Sequence, residues 1–314
     1  MMRALVTGVT GQDGSYLAEA LVSAGQEVHG VVRDIGETVT AGVQPHRVDF
    51  AEEGGLAAVV SEVRPDVIYN LAAVSSVFRS WEEPTVTARV NALAVAELLA
   101  AARSLGEGIR FVQASSAEIF GSPETAPQNE STPVRPTSPY GAAKAYAHGL
   151  VGVYRGAGMH ASSVILYNHE SPRRPETFVT RKITAAAARI SRGLQDRLAL
   201  GNLAARRDWG WAPDYVEALQ LAAGADAPGD YVIATGVAHS VEDFVALAFA
   251  RAGIADWRAY VDVDDTLLRA GDAPEQRGDA AKARRVLGWR PSHDFEQIVS
   301  AMVDADLARL DAPS

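Results

Sequence analysis

The chain begins with short apolar runs that alternate with longer segments whose apolar residues recur at helical spacing. The first run, residues 4–7, leads through glycines into a helix-like stretch at 15–22. Further apolar runs lie at residues 28–32, 67–69 and 111–112. The segments between them are long enough for crossover helices, and 86–105 has the clearest helical pattern. The alternation predicts an α/β fold with a doubly wound parallel sheet, which binds ligands at the carboxyl ends of its strands.

The pattern becomes irregular after about residue 167, where prolines and many arginines interrupt it. This change predicts a smaller second α/β lobe toward the C-terminus. An apolar run at 231–234 predicts one more strand, so the chain returns to the first lobe before a helix at 240–252. We therefore expect a nucleotide-binding domain and a substrate lobe, formed by residues 1–167 with about 212–238, and by 168–211 with 239–314.

Composition narrows the possible classes of protein. The 314 residues are 47% hydrophobic, and 29 basic against 39 acidic residues give a net charge of −10. This balance argues against broad binding to nucleic acid or an anionic membrane. The lack of cysteine excludes disulfides, thiolate metal sites and a thiol nucleophile, and no histidine cluster suggests a metal. The apolar run after Met1 is too short for a signal peptide or a membrane span, so we expect a cytoplasmic protein.

A glycine-rich loop connects the first predicted strand to the first predicted helix. Its glycines are spaced G-x-x-G-x-x-G, as in the short-chain dehydrogenase/reductase superfamily, and the candidate cofactor-binding residues are Gly8, Gly11, Gln12, Asp13 and Gly14. Such a loop turns tightly and presents helix N-terminal amides to a pyrophosphate. The alternative is an ordinary strand-to-helix turn, but the surrounding alternation favours a dinucleotide.

The end of the second predicted strand bears on which nicotinamide cofactor binds. An acid there holds the ribose hydroxyls, whereas an arginine accommodates a 2′-phosphate. Arg33 and Asp34 stand side by side, so the sequence favours NADP and leaves NAD open. Asp49 stands where relatives in the short-chain dehydrogenase/reductase superfamily hold the adenine amino group, so the resemblance implies that role, and a solvated loop acid is the other interpretation.

Tyr140 and Lys144 form a Y-x-x-x-K motif directly after Ser138 and Pro139, a typical helix N-terminus. Residues at i and i+4 lie on one face of a helix. A phenol with an ordinary pKa of about 10 is a poor base unless a nearby ammonium favours the phenolate. Taken alone, the pair is also common on solvated helices, but next to the glycine loop it predicts a catalytic tyrosine and lysine.

Ser116 and Glu118 lie at the carboxyl end of the fourth predicted strand, where a ligand crevice is expected. A serine there can share a substrate hydroxyl with the tyrosine. The Glu118 carboxylate can take a proton from a sugar carbon next to a ketone and return it to a leaving hydroxyl. A capping or surface acid is the alternative interpretation of Glu118.

Several segments resemble the GDP-mannose 4,6-dehydratase family, an extended branch of the short-chain dehydrogenases/reductases with a Rossmann sheet. Besides the glycine loop and the Y-x-x-x-K segment, the matching stretches are 113–118, 167–174, 178–183, 200–203, 207–210, 233–236 and 287–289. The combination of N-H-E-S-P-R-R with G-N-L and R-D-W is the most specific part of the match. The similarity therefore covers almost the whole chain.

The resemblance implies a redox-neutral dehydration of a nucleotide hexose, with GDP-mannose as the first candidate. Tyr140 would remove the 4-hydroxyl proton and Glu118, with Ser116, would assist loss of water across C5 and C6. Tightly bound NADP, or NAD, would be recycled, with Leu71 and Ala72 also contacting it. The implied substrate-binding residues are Ser75, Asn168, Lys182, Arg207 and Arg269. Arg173 and Arg174 match a loop that reaches toward a neighbouring subunit, so a homo-oligomer, dimer or tetramer, is implied.

The sequence also departs from the family pattern. Ser116 replaces a threonine, Arg33 and Asp34 replace a longer basic loop, and the region from 256 to 279 is shortened. Related nucleotide-sugar enzymes with the same first step, such as a 5,6-dehydratase, an epimerase or a 4-keto reductase, are therefore alternatives. A catalytically silent NAD(P)-binding sensor is a more remote one.

Overall fold

The predicted alternation folds into a seven-stranded parallel sheet, so the doubly wound α/β fold is confirmed. The computed structural model describes residues 1–50, 52–106, 108–267 and 273–312. The sheet has the order β3-β2-β1-β4-β5-β6-β10, with strands β1 (Arg3–Thr7), β2 (Glu27–Val32), β3 (Val43–Arg47), β4 (Val67–Asn70), β5 (Arg110–Ser116), β6 (His160–Leu166) and β10 (Asp230–Ile233). Strand order reverses between β1 and β4, and such a switch point opens a ligand crevice at the carboxyl ends.

Helices cover both faces of this sheet and bury two apolar layers. The helices are α1 (Gln12–Ser23), α2 (Gly55–Val63), α3 (Val77–Glu82), α4 (Pro84–Ala88), α5 (Ala94–Ser104), α6 (Pro139–Gly156), α7 (Val179–Ser191), α8 (Ala212–Gly224), α9 (Val241–Arg251), α10 (Ala281–Leu287) and α11 (Phe295–Asp311). One layer takes α1, α8 and α10, and the other takes α2, α5 and α6. We call the sheet with these helices the sheet lobe.

Two local features of the sheet lobe differ from the sequence prediction. Strand β3 is not among the predicted apolar runs, because this edge strand buries only Val43 and periodicity cannot mark it. The predicted helix at 86–105 is interrupted by a wide π-helical turn at Arg89–Leu93. Within that turn, buried Asn91 donates to Val74 O at 3.0 Å and accepts from Val74 N at 2.8 Å. The turn therefore fixes the loop that follows β4.

The remaining strands form a smaller lobe beside the carboxyl ends of the sheet. They are β7 (Asn168–Glu170), β8 (Leu198–Leu200), β9 (Arg206–Trp211), β11 (Ala238–Ser240), β12 (Val261–Val263) and β13 (Glu275–Gln276). With α7, α9 and α11 they enclose their own apolar core, and we call this unit the small lobe. The return of the chain to the sheet at β10 and the helix predicted at 240–252 are both confirmed.

A buried carboxylate joins the two lobes. Asp208 on β9 accepts hydrogen bonds from the main-chain N–H groups of Thr235 at 2.8 Å, Gly236 at 2.8 Å and Gly278 at 3.4 Å. The Thr235 hydroxyl donates to the same carboxylate at 2.7 Å. Burial raises the pKa of Asp208, although these four donors act in the opposite direction. One side chain thus holds the chain where it leaves the sheet after β10.

The helical stretch Pro84–Ser104 is long and apolar enough, by length and composition, to cross a membrane, and half of its most apolar window is buried. The core helix of a protein without any membrane contact meets the same criterion. The buried residues of α5 pack against α2 and the sheet. The stretch is therefore weak evidence for a membrane span.

Candidate active site

The glycine loop has the geometry of a dinucleotide cradle. Gly8 adopts a φ of +69°, and a Cβ there would lie 2.8 Å from Ala72 N. A Cβ on Gly14 would lie 2.1 Å from Gly8 O. The loop therefore excludes side chains where a pyrophosphate approaches the main chain, and the N-terminus of α1 supplies N–H donors. These features fit the nicotinamide dinucleotide that the sequence predicts.

Gln12 and Asp13 use their side chains to anchor the small lobe. Gln12 Nε2 donates to His169 O at 3.2 Å, and Ser171 Oγ donates to Gln12 Oε1 at 2.8 Å. Asp13 Oδ2 lies 2.9 Å from His169 Nε2. A cofactor contact from Gln12 would therefore come from its main-chain N–H in the first turn of α1.

Asp13 and His169 form a buried ion pair at the edge of the site. Burial raises the pKa of Asp13, but His169 and Arg174 outweigh it and hold that pKa below its ordinary value. Burial lowers the pKa of His169, yet the charge and hydrogen bond of Asp13 give a net rise. Both directions favour an imidazolium paired with a carboxylate.

The carboxyl end of β2 contains an acid that the sequence analysis did not select. The Glu37 carboxylate accepts hydrogen bonds from the main-chain N–H groups of Arg33 at 2.8 Å and Asp34 at 3.0 Å, and from Thr10 Oγ1 at 3.0 Å. The side chain of Arg33 is 83% exposed and lies 3.8 Å from Glu37. The spacing of Arg33 and Glu37, four residues apart, was the available signal. An acid rather than a base is thus fixed at this strand end.

The other predicted cofactor residues follow the carboxyl ends of β3 and β4. Thr7 Oγ1 accepts from the main-chain N–H groups of Leu71 and Ala72, both at 3.1 Å. Exposed Asp49 follows Val48, whose N–H donates to Val32 O at 2.9 Å. The structure therefore brings the ends of β1, β2 and β4 together at the switch point.

The catalytic helix α6 begins as the sequence predicts, with Ser138 Oγ accepting from Gly141 N at 3.0 Å. Burial raises the pKa of Tyr140 to about 12, although a hydrogen bond with Ser116 opposes this rise. Lys144 Nζ donates to Ala114 O at 2.8 Å, and burial lowers the pKa of this ammonium to about 8. The protein surroundings alone therefore do not favour the Tyr140 phenolate in the way the sequence analysis expects.

Glu118 lies on a single helical turn directly after β5. Its main-chain N–H donates to Ser116 Oγ at 3.2 Å, and its carboxylate Oε1 accepts from Gln276 Nε2 at 3.2 Å. A Cβ on Gly141 would lie 2.6 Å from Glu118 O, so this turn packs tightly against the start of α6. Glu118 is thus placed beside Tyr140, and the capping role weighed from the sequence is not what its carboxylate does.

A cavity of about 390 Å³ lies between the two lobes and joins most of the predicted site. Eight of the predicted catalytic and substrate residues line it: Ser75, Ser116, Glu118, Tyr140, Lys144, Asn168, Lys182 and Arg207. Arg269 lies outside the described residues. The cavity also includes His169, Glu170 and Arg174, which the sequence analysis did not assign to this site. Their position within the N-H-E-S-P-R-R segment was the signal that could have found them.

The cations on the small-lobe side of the cavity are held by main-chain carbonyls. Lys182 Nζ donates to Ala199 O at 2.7 Å. Arg207 donates to Arg206 O at 2.8 Å and to Ala273 O at 2.9 Å. These contacts hold two positive charges at the wall of the cavity, where an anionic group can be bound.

Arg173 and Arg174 contact their own chain, and the expectation that their loop reaches toward a neighbouring subunit stays a prediction. Arg173 donates to Ser15 Oγ at 3.0 Å and to Glu19 at 2.9 Å. Arg174 lies 3.4 Å from the buried Glu170 carboxylate and stacks over Phe178. Arg174 therefore belongs to the cavity of this chain.

The fold and the cavity define a class of enzyme. A glycine loop at the switch point of a parallel sheet, with serine, tyrosine and lysine beside it, is the arrangement of an NAD(P)-dependent short-chain dehydrogenase/reductase. The small lobe, which closes the cavity, places this protein in the extended branch of that superfamily. No group of three or more potential metal ligands occurs among the described residues.

Comparisons with known proteins identify the family. The model of the GDP-mannose 4,6-dehydratase family matches residues 5–302. GDP-mannose 4,6 dehydratase 2 of Arabidopsis thaliana is 46% identical, over 97% of this chain and 86% of the relative. GDP-mannose 4,6-dehydratase of Sinorhizobium fredii is 44% identical, over 98% and 97%. A UDP-glucose 4-epimerase of Thermus thermophilus, solved with NAD, has a TM-score of 0.86 and 30% identity, over 97% and 99%. The chain belongs to the GDP-mannose 4,6-dehydratase family.

Proposed function

We propose that this protein dehydrates GDP-mannose to the corresponding GDP-4-keto-6-deoxyhexose, with NADP, or NAD, retained and recycled. The observation that carries the proposal is the placement of Ser116, Glu118, Tyr140 and Lys144 in one cavity at the mouth of the glycine loop. Membership of the family supports the substrate and the reaction. The Glu37 carboxylate at the end of β2 favours ribose hydroxyls over a 2′-phosphate, and parallel titrations with NADP and NAD test this preference.

The first half of the reaction uses the catalytic helix. Tyr140 takes the proton of the sugar 4-hydroxyl, because the charges of Lys144 and of an oxidised nicotinamide would offset the burial that raises the Tyr140 pKa, and Ser116 hydrogen-bonds the same oxygen. A nicotinamide held by the glycine loop and Lys144 would supply the acceptor for the C4 hydride and its donor to C6, so the reaction would need no external reductant. Lys144, one helical turn after Tyr140, holds positive charge behind the phenol and restrains the cofactor ribose.

The second half of the reaction uses Glu118. The ketone at C4 acidifies C5, and Glu118 takes the C5 proton. The electron pair of the broken C5–H bond forms a C5–C6 double bond as the C6–O bond breaks. The hydroxyl leaves with the proton from Glu118 as water. When hydride is returned to C6, C5 takes up a proton from solvent through Glu118, and Tyr140 gives up the proton that it took from the 4-hydroxyl, so atoms and electrons balance without a metal.

The small lobe binds the nucleotide part of the substrate. Lys182 and Arg207 are the candidates that meet the diphosphate, and Asn168 and Ser75 the candidates that contact the sugar. Arg269 joins them by its place in the family pattern. The separate apolar cores support a cofactor domain of residues 1–167 with about 212–238, and a substrate lobe of 168–211 with 239–314. Packing of α10 and Trp289 on the first core supports moving 280–289 to the cofactor domain.

Exposed apolar side chains support self-association. Val86 and Leu93 lie seven residues apart, as do Tyr146 and Val153 on α6, and all four are at least 46% exposed. Such rows on neighbouring helices fit a second copy of the chain. We therefore propose that the protein is a homo-oligomer, either a dimer or a tetramer. We also propose that it is located in the cytoplasm, as the sequence analysis expects.

Two measurements test this proposal. Purified protein is titrated with GDP-, UDP-, CDP- and dTDP-hexoses, and its product from GDP-mannose is analysed without added reductant. We expect tightest binding of GDP-mannose and release of a 4-keto-6-deoxy sugar. A product with an inverted hydroxyl and an intact C6 hydroxyl would favour an epimerase, which the similarity to the Thermus enzyme makes the second candidate. A requirement for reduced nicotinamide would favour a reductase, and lack of any conversion would favour a sensor.

A further inference from the structure

We propose that Gln276 is a positioning residue for the Glu118 carboxylate, an inference that rests on the proposed dehydration. Gln276 Nε2 donates to Glu118 Oε1 at 3.2 Å, across 158 positions of the sequence. Gln276 is only 4% exposed and lines the cavity with Glu118. A buried amide that donates to a carboxylate restricts where both carboxylate oxygens point.

The Gln276 end of this hydrogen bond is held by main-chain contacts. Gln276 lies on β13, which pairs in parallel with β9 through Gln276 and Arg207. The next residues are bound to the loop at Gln128, whose N–H donates to Arg277 O at 2.9 Å and whose carbonyl accepts from Asp279 N at 2.8 Å. Gly278 N also donates to Asp208. Gln276 therefore reaches Glu118 from a fixed backbone.

The contact gives the two oxygens of the Glu118 carboxylate different roles. With Oε1 held by Gln276, Oε2 is the oxygen that can accept the C5 proton and pass it to the leaving hydroxyl. Free rotation of the carboxylate would place either oxygen away from C5 for part of the time, and misplacement by about 1 Å can cost about a hundredfold in rate. Gln276 does not touch the 4-hydroxyl chemistry, so oxidation at C4 is independent of it.

The test separates the two halves of the reaction. Gln276→Met keeps the length of the side chain and removes the donor, and Gln276→Glu keeps the shape and places a second acceptor against Glu118. We expect kcat to fall about tenfold in Gln276→Met and further in Gln276→Glu, with KM for GDP-mannose unchanged. Exchange of the C5 hydrogen with solvent should fall in the same proportion. Reduced nicotinamide should accumulate on the enzyme, because oxidation at C4 continues.

Glu275→Gln is the matched control, because Glu275 is the residue next to Gln276 on β13. This change removes the ion pairs of Glu275 with Arg206 and Arg277 but keeps the Gln276 amide that donates to Glu118. It should keep the wild-type kcat and C5 exchange. Equal losses in Glu275→Gln and Gln276→Met, or a raised KM with unchanged C5 exchange, would overturn the positioning role. Wild-type protein that makes no 4-keto-6-deoxy product would instead refute the proposed function, so the two failures are distinguishable.

Discussion

The sheet lobe and the small lobe build their parts of the site in different ways. In the sheet lobe, the cofactor cradle is made of main chain: glycines, a helix N-terminus and strand ends. In the small lobe, short strands are held by side chains such as Asp208, and the substrate side of the cavity is lined by cations on main-chain carbonyls. Cofactor binding by the sheet lobe should therefore be sensitive to changes of the backbone, whereas substrate binding by the small lobe should depend on individual polar side-chain contacts.

The largest effect should come from the residue at the meeting point of the lobes. Glu118→Gln keeps the size of the side chain and removes the base, so kcat should fall about a thousandfold while cofactor remains bound. Hydrogen exchange at C5 measures the loss. The exposed Glu124→Gln is the control and should be neutral. Wild-type turnover in Glu118→Gln would show that the base lies elsewhere.

Lys144 provides a pH test of the sheet lobe. Burial lowers its pKa from 10.5 to about 8, so between these values the unfolded chain binds the extra proton and folding stability rises with pH. In protein stripped of cofactor, wild type should gain up to about 3 kcal/mol relative to Lys144→Met from pH 8 to pH 10.5. Urea unfolding across this range measures the gain. A constant difference would mean that Lys144 keeps its ordinary pKa.

Gly14→Ala tests the claim that the cradle is made of main chain. The added Cβ would lie 2.1 Å from Gly8 O, so the loop must move. Affinity for the nicotinamide dinucleotide should fall at least about a hundredfold by calorimetry. Gly149→Ala, where nothing lies within 4 Å on helix α6, should bind normally and be slightly more stable. Equal behaviour of the two variants would refute the comparison.

Asp208→Ala tests the small-lobe counterpart. The change leaves the N–H groups of Thr235, Gly236 and Gly278 without their acceptor. We expect the free energy of unfolding to fall by about 2 kcal/mol. The affinity for nucleotide sugar should fall by a larger factor than the affinity for cofactor. Asp304→Ala, at an exposed ion pair with Arg251, should cost far less. A larger loss of cofactor affinity than of substrate affinity would contradict the division of roles.

The smallest effect concerns the acid at the end of β2. Glu37→Gln removes a negative charge held by Arg33 N, Asp34 N and Thr10 Oγ1. Affinity for NADP should rise relative to NAD by about fivefold, because the 2′-phosphate no longer meets a carboxylate. Parallel titrations with the two cofactors measure the ratio, with Glu53→Gln as the exposed control. An unchanged ratio would place the 2′-phosphate away from Glu37.

The sequence predicts the sheet lobe better than the small lobe for a physical reason. The glycine spacing, the Ser138 cap and the Y-x-x-x-K pair are local signals, because each contact joins residues close in sequence. The sequence pattern does not mark strand β3, because this strand buries a single valine. It does not mark the π-helical turn at Arg89–Leu93 either, because Asn91 in that turn contacts Val74, 17 residues away.

The contacts that complete the site are long-range and leave no periodic trace. Gln276 and Glu118 lie 158 positions apart, and Asp13 and His169 lie 156 apart. The sequence analysis did not select Glu37, because this residue lies in the loop after β2 and not at the last position of the strand. Arg173 lies over the ring of Tyr16 and Arg174 lies beside the Glu170 carboxylate, and the contact of their loop with a neighbouring subunit stays a prediction.

One isotope experiment tests the central claim, that a single cavity carries out both halves of a redox-neutral dehydration. GDP-mannose labelled with deuterium at C4 is incubated with the enzyme in ordinary water, and unlabelled substrate is incubated in heavy water, both without added reductant. We predict that the C4 label moves to C6 and that solvent deuterium enters C5 of the 4-keto-6-deoxy product. A label retained at C4, or a C5 position without solvent deuterium, would contradict the account.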